Sequence, residues 1–277
     1  MYKDIFEAAE KGSVDDVRFF VEQGVDVNVK NDSGYTPLFY AVGDNSNADV
    51  AKYLVGSGVD VNAKTDDDWT PLHHAAMHNS NADMVKYLIE NGADVNAKAR
   101  DGWLPVHAAA HFYFRINIFK LLVEAGANIN AKKDDNTTVL HKVAEEVGND
   151  DICVLEYLIA QGADVNAKDD EGRTTLHHCL GQYYPPDPPV VKYLIEQGAN
   201  VNAQDCSGMT PLFLWFLGTN IDDSDERIDD AVELLTYLVE KGVDVNASCT
   251  PLDLATADKL KAVLRAAGGK SGAELQV

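Results

Sequence analysis

Apolar residues along this chain recur at helical spacing in short, regularly repeated segments. One segment has three small or branched residues spaced three and four positions apart, namely Leu72, Ala75 and Ala76. A second apolar group with similar spacing follows, namely Val85, Leu88 and Ile89. Residues at these spacings lie on one face of an α-helix. The pattern therefore predicts a pair of short helices, and the alanines of the first leave room for a neighbouring helix to approach closely.

Local signals mark both ends of this predicted helix pair. Thr70 has a side chain suited to capping a helix start, and Pro71 suits a first helical turn, where a backbone N–H has no partner. Gly92 is placed to end the second helix in the left-handed conformation. The start signal recurs at Thr36, Thr70, Leu104, Thr138, Thr174, Thr210 and Thr250, and the glycine recurs at Gly24, Gly58, Gly92, Gly126, Gly162, Gly198 and Gly242. The chain is therefore an array of repeats.

One position in the loop between successive helix pairs is restricted to residues that tolerate a positive φ. Its occupants in the six loops before the final unit are Gly34, Asp68, Gly102, Asn136, Gly172 and Gly208. Glycine, asparagine and aspartate enter the left-handed region most readily. We therefore expect a positive φ at each of these positions.

The repeated unit resembles the ankyrin repeat. Thr70-Pro71-Leu72-His73, followed by Gly92-Ala93-Asp94-Val95-Asn96, carries the resemblance, and the period lies in the low to mid thirties. The resemblance implies an all-α repeat solenoid of stacked helix-turn-helix ankyrin repeats with projecting β-hairpin loops. It predicts one ankyrin repeat domain over residues 1–269, about eight repeats including terminal caps, and a flexible tail at 270–277. The predicted units are 1–33, 34–67, 68–101, 102–135, 136–171, 172–207, 208–247 and 248–269.

Cysteine usage and the two ends of the chain indicate where the protein resides. The cysteines lie far apart and form no close pair, which favours a reduced compartment: Cys153, Cys179, Cys206 and Cys249. The amino terminus lacks the basic segment and apolar run of a signal peptide. The carboxy-terminal run from Pro251 to Gly272 resembles the ends of many bacterial ankyrin proteins. We expect a cytoplasmic protein, with export into a host cell as the open alternative.

The chain is strongly acidic, with 23 basic and 45 acidic residues and a net charge of −22. Nucleic acids and anionic membranes require a positive surface, so we expect the protein to bind neither. A basic protein partner is favoured, although a solvated surface that maintains solubility explains the same charge. The polar, capped ends favour a monomer.

A set of aromatic residues is the strongest candidate for a binding site. Tyr35, Trp69 and Trp103 occupy equivalent positions just before the first helix of consecutive repeats. The ankyrin resemblance places this position at the hairpin base, facing a concave groove, and aromatic residues often anchor protein interfaces. Packing of the rings on neighbouring hairpins is the alternative. The full predicted protein-binding set is Tyr35, Asp66, Asp67, Trp69, His74, His78, Arg100, Trp103, His111 and Phe112.

The histidines divide into two groups. The ankyrin resemblance implies a structural hydrogen-bonding role for the motif histidines, which are His73, His107, His141 and His177. The additional ones are His74, His78, His111 and His178. His74 and His78 lie one helical turn apart, a spacing that metal sites use, but no further ligand spacing accompanies them. We therefore predict no metal, no cofactor and no catalytic residue, and we expect the extra histidines to make groove contacts.

The later repeats are longer than the earlier ones. The spacing of the start signal rises from 34 residues to 36, 36 and 40 after Thr138. The extra residues are predicted to lie between the two helices of each unit, in segments 145–151, 181–189 and 218–230. Proline in segment 182–189 predicts an extended conformation, and the bulky residues 213–216 predict a wider helix spacing in their unit. Such loops are either functional or neutral insertions.

The sequence as a whole predicts a non-enzymatic scaffold that binds a protein partner through its concave groove and hairpin tips. Phosphate-binding and nucleophile motifs are not found in it. The alternative hypothesis is an acidic inhibitor or decoy that occupies a basic, nucleic-acid-binding site on another protein. Salt-sensitive binding separates this alternative from an aromatic-anchored interface.

Overall fold

The computed structural model describes residues 2–43, 48–78, 82–110, 116–146, 152–181, 188–218, 221–222, 224–247 and 251–275. The chain folds into two compact units, Met1–Asp134 and Asp135–Val277, so a single 1–269 domain stays a prediction. The helices described in the first unit are α1 (Ile5–Lys11), α2 (Val14–Glu22), α3 (Pro37–Ala41), α4 (Ala48–Gly56), α5 (Pro71–His78), α6 (Ala82–Glu90), α7 (Pro105–Ala108) and α8 (Ile116–Glu124). Those of the second unit are α9 (Val139–Glu146), α10 (Ile152–Ala160), α11 (Thr175–Leu180), α12 (Pro188–Glu196), α13 (Pro211–Gly218), α14 (Ile228–Glu240), α15 (Pro251–Leu254), α16 (Asp258–Ala266) and α17 (Gly272–Leu275).

Each unit is built from helix pairs in which first helices pack on first helices and second helices on second helices. In the first unit α5 packs on α7, and α6 packs on α8. In the second unit α9 packs on α11, which packs on α13, while α12 packs on α14. The apolar residues predicted to face the core, including Leu72, Ala75, Val85 and Leu88, are buried. The predicted fold class, an all-α repeat solenoid, is confirmed.

The loops between helix pairs are turns, and no β-strand forms in the described residues. Backbone hydrogen bonds close these turns at residues 31–35, 65–69, 99–103, 169–173 and 205–209; one example runs from the Thr65 N–H to the Trp69 carbonyl. Neighbouring loops are joined in the same way: the Asp66 N–H donates to the Ser33 carbonyl, and the Arg100 N–H donates to the Asp67 carbonyl. The projecting loops are therefore stacked on each other by their main chains rather than by strand pairing.

The loop positions expected to have positive φ do have it, with values from 59° at Asn136 to 79° at Gly34. Space also restricts this position, because a Cβ on Gly34 would lie 2.8 Å from the backbone nitrogen of Asp66 in the next loop. Asp101 also has a positive φ, 59°, within the short 3₁₀ turn Arg100–Gly102, although the sequence pattern did not predict it there. That loop therefore has two consecutive residues in the left-handed region.

The motif histidines complete the helix starts. The Thr70 N–H donates to His73 Nδ1 at 3.2 Å, and the Thr70 hydroxyl lies 2.8 Å from the same nitrogen. His73 Nε2 faces the Trp103 carbonyl at 3.2 Å, so Nε2 carries the proton and Nδ1 accepts. The expected structural role is confirmed. Thr36 makes no side-chain capping bond, and the motif position three residues later is Phe39 rather than histidine.

Asparagine side chains connect one helix pair to the next. Asn62 Nδ2 donates to the Gly92 carbonyl at 2.9 Å, and its Oδ1 accepts the Asp94 N–H at 2.8 Å. Gly92 lies two residues beyond the end of α6, so the helix offers its carbonyl no N–H partner. The same side-chain bond to a glycine carbonyl is made by Asn28, Asn96, Asn166, Asn202 and Asn246.

The predicted limits of the three inserted segments were wrong at their edges. Glu145 lies in α9, and residues 228–230 form the first turn of the extended helix α14. Pro188 and Pro189 begin α12, although segment 182–189 was predicted to be non-helical throughout. Proline is tolerated there because the first helical turn has no N–H partners to lose. Residues 147–151, 182–187, 219–220 and 223 lie outside the described residues, and the wider spacing expected at 213–216 stays a prediction.

The carboxy-terminal segment ends in the one-turn helix α17. The Gly272 N–H donates to Asp253 Oδ2 at 2.7 Å, and the Lys270 N–H donates to Asn246 Oδ1 at 2.8 Å. The flexibility expected for residues 270–277 stays a prediction. Within the part of the chain that the structure describes, no helix combines the length and apolarity needed to cross a membrane.

Candidate protein-interaction site

The aromatic residues of the first unit lie where each loop returns to the next helix. The Trp69 N–H donates to the Thr65 hydroxyl at 3.1 Å, while the Thr65 N–H donates to the Trp69 carbonyl at 3.0 Å. Trp103 is fixed by the equivalent bond from the Ala99 N–H. Both indoles are half-buried, as is Tyr35. Their backbones are thus held rigidly, while part of each ring faces solvent.

The two indoles contact each other. The Trp69 and Trp103 ring centroids are 6.1 Å apart with an interplanar angle of 34°, and the Trp69 ring also lies 5.2 Å from that of His73. Lys133 Nζ lies 5.0 Å from the Trp103 ring centroid, within the range of a cation–π contact. We call Trp69 and Trp103 the indole pair.

Tyr35 belongs to a neighbouring ring cluster. Its ring contacts Phe39 at 5.0 Å, Tyr40 at 6.1 Å and His74 at 6.3 Å. The His74 ring in turn contacts that of His78, with ring centroids 4.7 Å apart and an interplanar angle of 48°. The structure therefore places five of the predicted site residues on half-buried aromatic surface in the first unit: Tyr35, Trp69, His74, His78 and Trp103.

Two of the predicted residues, His111 and Phe112, lie outside the described residues. Their proposed part in the groove therefore stays a prediction. Among the residues that the structure does describe, no group of three or more histidine, cysteine or carboxylate side chains is arranged to hold a metal ion.

The loop tips beside the indole pair are exposed and acidic. Arg100 forms an ion pair with Asp67 across neighbouring tips, and Lys64 lies 3.4 Å from Asp68. In the described part of the chain, the remaining tip carboxylates of this unit form no ion pair: Asp32, Asp66, Asp101 and Asp134. The predicted tip residues Asp66, Asp67 and Arg100 thus form a rim with excess negative charge.

The second unit contains a side-chain cluster that the sequence pattern did not predict. His178 in α11 has a carboxylate at each ring nitrogen: Nδ1 lies 2.8 Å from Glu145 Oε1, and Nε2 lies 2.7 Å from Asp169 Oδ2. Asp169 Oδ1 also accepts the Arg173 N–H at 2.8 Å, and Glu145 Oε2 pairs with Lys142 at 2.5 Å. We call His178, Glu145 and Asp169 the histidine clamp.

The electrostatics of the clamp favour the charged ring. Burial by itself would lower the pKa of His178, but hydrogen bonds to Glu145 and Asp169 outweigh it, and the pKa is raised. Burial would raise the pKa of Glu145, yet the bonds from His178 and Lys142 lower it to about 2. His141, whose ring lies 4.9 Å from that of His178, has its pKa lowered to about 4 by burial and by the neighbouring charge.

Two residues of the clamp, Glu145 and His178, line an open pocket of about 270 Å³ within the second unit. Arg173, His178, Leu214 and Leu217 contribute to its wall, and Leu217 is 57% exposed. One feature of the sequence indicated part of this cluster: Asp169 starts the loop that precedes α11, and His178 follows it by nine residues. It carried none for Glu145, which was assigned to an inserted loop.

Comparison with known proteins places this arrangement in context. A family model described as ankyrin repeats, in three copies, matches residues 5–99, 44–133, 106–205 and 140–248. A curated relative is an ankyrin repeat domain-containing protein, oryK, of Aspergillus oryzae, which is 54% identical over 39 residues. That alignment covers 14% of this chain and 6% of the relative, so the chain spans a small part of the relative's length. The bacterial origin expected from the carboxy-terminal run stays a prediction.

Proposed function

Because this chain belongs to the ankyrin repeat family, whose members generally mediate protein–protein interaction, we propose that it is a non-enzymatic scaffold that binds a basic protein partner. The proposed site is the indole pair together with the acidic loop tips around it. The single observation that carries the proposal is the contact between two half-exposed indoles held on hydrogen-bonded loops.

The indole pair has the properties of an interface anchor. Tryptophan is enriched among residues that dominate binding energy, because a large rigid ring buries much area at little entropic cost. The loop hydrogen bonds hold Trp69 and Trp103 in place before a partner arrives, which reduces the entropy lost on binding. A flat aromatic surface of this kind favours a partner that presents side chains with apolar stems.

Two features support a basic partner. Asp66, Asp101 and Asp134 contribute exposed negative charge beside the indoles, so a cationic surface is electrostatically complementary. Lys133 of the chain itself places its ammonium group over the Trp103 ring, which is the contact that a partner's lysine or arginine would make on an indole. The partner chemistry that fits both features is a segment carrying lysine or arginine.

Affinity capture with matched variants tests the site. The wild-type protein and a Trp69→Ala/Trp103→Ala variant are used to capture partners from a lysate of the source organism, at low and high salt. Phe19→Ala is the matched control, because Phe19 is an exposed aromatic residue of the same unit outside the site. We expect one or more partners to be retained by wild type and by Phe19→Ala but lost from the double variant.

The direct measurement follows by calorimetry with the purified partner. Loss of at least tenfold in affinity on removing both indoles, with unfolding curves showing an intact fold, supports the proposal. Equal affinity of the double variant and wild type would reject the indole pair as the site. Trp69→Phe keeps an aromatic face, so partial recovery of affinity separates ring stacking from a folding defect.

An acidic decoy is the second candidate, and the exposed carboxylates of the loop tips favour it. Such a protein would bind a nucleic-acid-binding protein mainly by charge, and its affinity would fall steeply with salt. An Asp66→Asn/Asp101→Asn/Asp134→Asn variant removes three of these charges without changing the indoles. If this variant loses the partner and the tryptophan variant keeps it, the decoy hypothesis replaces the aromatic interface.

A further inference from the structure

The histidine clamp imposes a condition on the protonation of His178. A neutral imidazole has one N–H and one lone pair, whereas the imidazolium has two N–H groups. Ionised carboxylates only accept hydrogen bonds, and one lies within 2.8 Å of each His178 nitrogen. A neutral ring would therefore turn a lone pair towards either Glu145 or Asp169.

From this geometry we infer that His178 is held as an imidazolium, and that the histidine clamp is a proton-dependent joint between the fifth and sixth repeats of the chain. Glu145 comes from α9 of the fifth repeat, while His178 lies in α11 of the sixth. Asp169 precedes α11 and also accepts the Arg173 N–H, so it fixes the loop on the other side of the ring. Loss of the proton converts one of the two attractive contacts into a repulsive one.

The other charged groups around the ring do not substitute for His178. On α9 they are His141, Lys142 and Glu145; on the preceding loop they are Asp169 and Arg173; on α11 it is His177. Burial lowers the pKa of His177, and the pKa of His141 is lowered to about 4, so both rings lose their protons at a lower pH than His178 does. Glu145, with a pKa of about 2, stays ionised throughout.

The direction of the effect follows from the folded and unfolded states. The folded state holds the His178 proton more tightly than the unfolded chain, whose histidine pKa is about 6.5. The clamp therefore contributes its full stabilisation below that value and loses it as the pH rises through the raised pKa of the folded state. Opening at alkaline pH should expose α11 and the buried side of the adjacent pocket wall, where Leu214 lies.

Nuclear magnetic resonance of the imidazole nitrogens tests the inference on the full chain. The nitrogen shifts separate a ring with two N–H groups from one with a lone pair, and a pH titration gives the midpoint for His178. We expect both nitrogens to be protonated at neutral pH and the midpoint to lie above the ordinary value. Asp169→Asn and Glu145→Gln should each shift the midpoint downwards, because each removes a charge from the ring.

Glu196→Gln is the matched control, since Glu196 is an exposed carboxylate of the same unit outside the clamp. Hydrogen exchange, corrected for intrinsic rates, should show faster exchange in α9 and α11 above the midpoint. No such change is expected in the first unit around Tyr40, whose hydroxyl accepts a hydrogen bond from the neutral Asn31 side chain. A neutral His178 in the wild-type protein at pH 7 would overturn the inference. So would variants of the clamp that shift the midpoint no more than Glu196→Gln does.

Discussion

The two units use the same pair of repeat positions for different chemistry. In the first unit, Asn31 at the start of a loop donates its side-chain amide to the Tyr40 hydroxyl at 3.0 Å. In the second unit, the corresponding positions hold Asp169 and His178, which form an ion pair at 2.7 Å. The Asn31–Tyr40 pair does not change charge near neutral pH. The asparagine amide does not titrate, and burial raises the pKa of Tyr40 further above its ordinary value of 10.0. One scaffold position therefore accommodates either a permanent or a proton-dependent link.

The type of residue that precedes the first helix of each repeat also differs between the two units. The first unit has the aromatic residues Tyr35, Trp69 and Trp103 there, whereas the second has Thr137, Arg173 and Met209. Charge differs too: residues 1–134 carry 13 basic and 20 acidic residues, a net −7, and residues 135–277 carry 10 and 25, a net −15. The repeat frame therefore sets side-chain positions, while the residues at a few of those positions set the chemistry of each unit's surface.

Tryptophan truncation should distinguish the two units most strongly. Trp215 in α13 is 1% exposed, so Trp215→Ala removes a fully packed ring and should lower the free energy of unfolding by about 3–5 kcal/mol. Trp69→Ala removes a half-exposed ring and should cost about 1 kcal/mol. Urea unfolding of both variants gives the two values. Equal losses would show that Trp69 is a core residue and would weaken its assignment to an interface.

The motif histidines should give both units the same response to acid. His73 and His141 each have a pKa lowered to about 4, mainly by burial, so the folded state binds protons less readily than the unfolded chain. Stability should therefore fall as the pH drops from about 6.5 to about 4, by up to about 3 kcal/mol for each histidine. Urea unfolding at several pH values measures this loss.

Phenylalanine provides a non-titrating replacement at this position, since Phe39 and Phe213 occupy it in other repeats. His73→Phe and His141→Phe should each reduce the acid dependence of stability. An unchanged acid dependence in either variant would contradict the burial of a neutral ring there. The effect of His141→Phe on the acid dependence should be smaller in a chain where His178 is also replaced. The charge on His178 contributes to the lowered pKa of His141, and this contribution is then absent.

Two glycines allow the cost of a positive φ to be separated from the cost of a steric clash. Gly102 has a φ of 74°, and a Cβ there would lie 2.7 Å from the Asp134 nitrogen. Gly92 has a φ of 89° with no atom near such a Cβ. Gly102→Ala should therefore cost about 2–3 kcal/mol and Gly92→Ala about 1 kcal/mol, as measured by thermal unfolding. Equal costs would mean that the neighbouring loop moves aside without penalty.

The sequence predicted the repeated frame well because the frame depends on local residue properties. Positive φ at Asp68 and Asn136 followed from the few residue types that tolerate it, and the burial of Leu72 and Val85 followed from helical spacing. The histidine clamp could not be predicted in this way. Glu145 and His178 are 33 residues apart, and their contact depends on how α9 packs on α11.

Segment boundaries failed for a related reason. An insertion length is visible in the sequence, but the sequence does not say whether the added residues extend a helix or a loop. In α14, Ile228 is buried and the helix extends to Glu240, so residues assigned to an insertion became helical. Burial of Ile228 by tertiary packing outweighs the acidic character of the residues around it.

The smallest expected effect comes from Asp68→Gly in the first unit. Asp68 has a φ of 60°, and glycine would remove the cost of holding a side chain in the left-handed region. Glycine also gives the unfolded chain more freedom, which costs about 0.4–1 kcal/mol, and the Asp68 ion pair with Lys64 is exposed and weak. These contributions nearly cancel, so we expect a change within about 0.5 kcal/mol by urea unfolding. A loss as large as that of Gly102→Ala would show that the Asp68 side chain, rather than the backbone conformation, holds this loop in place.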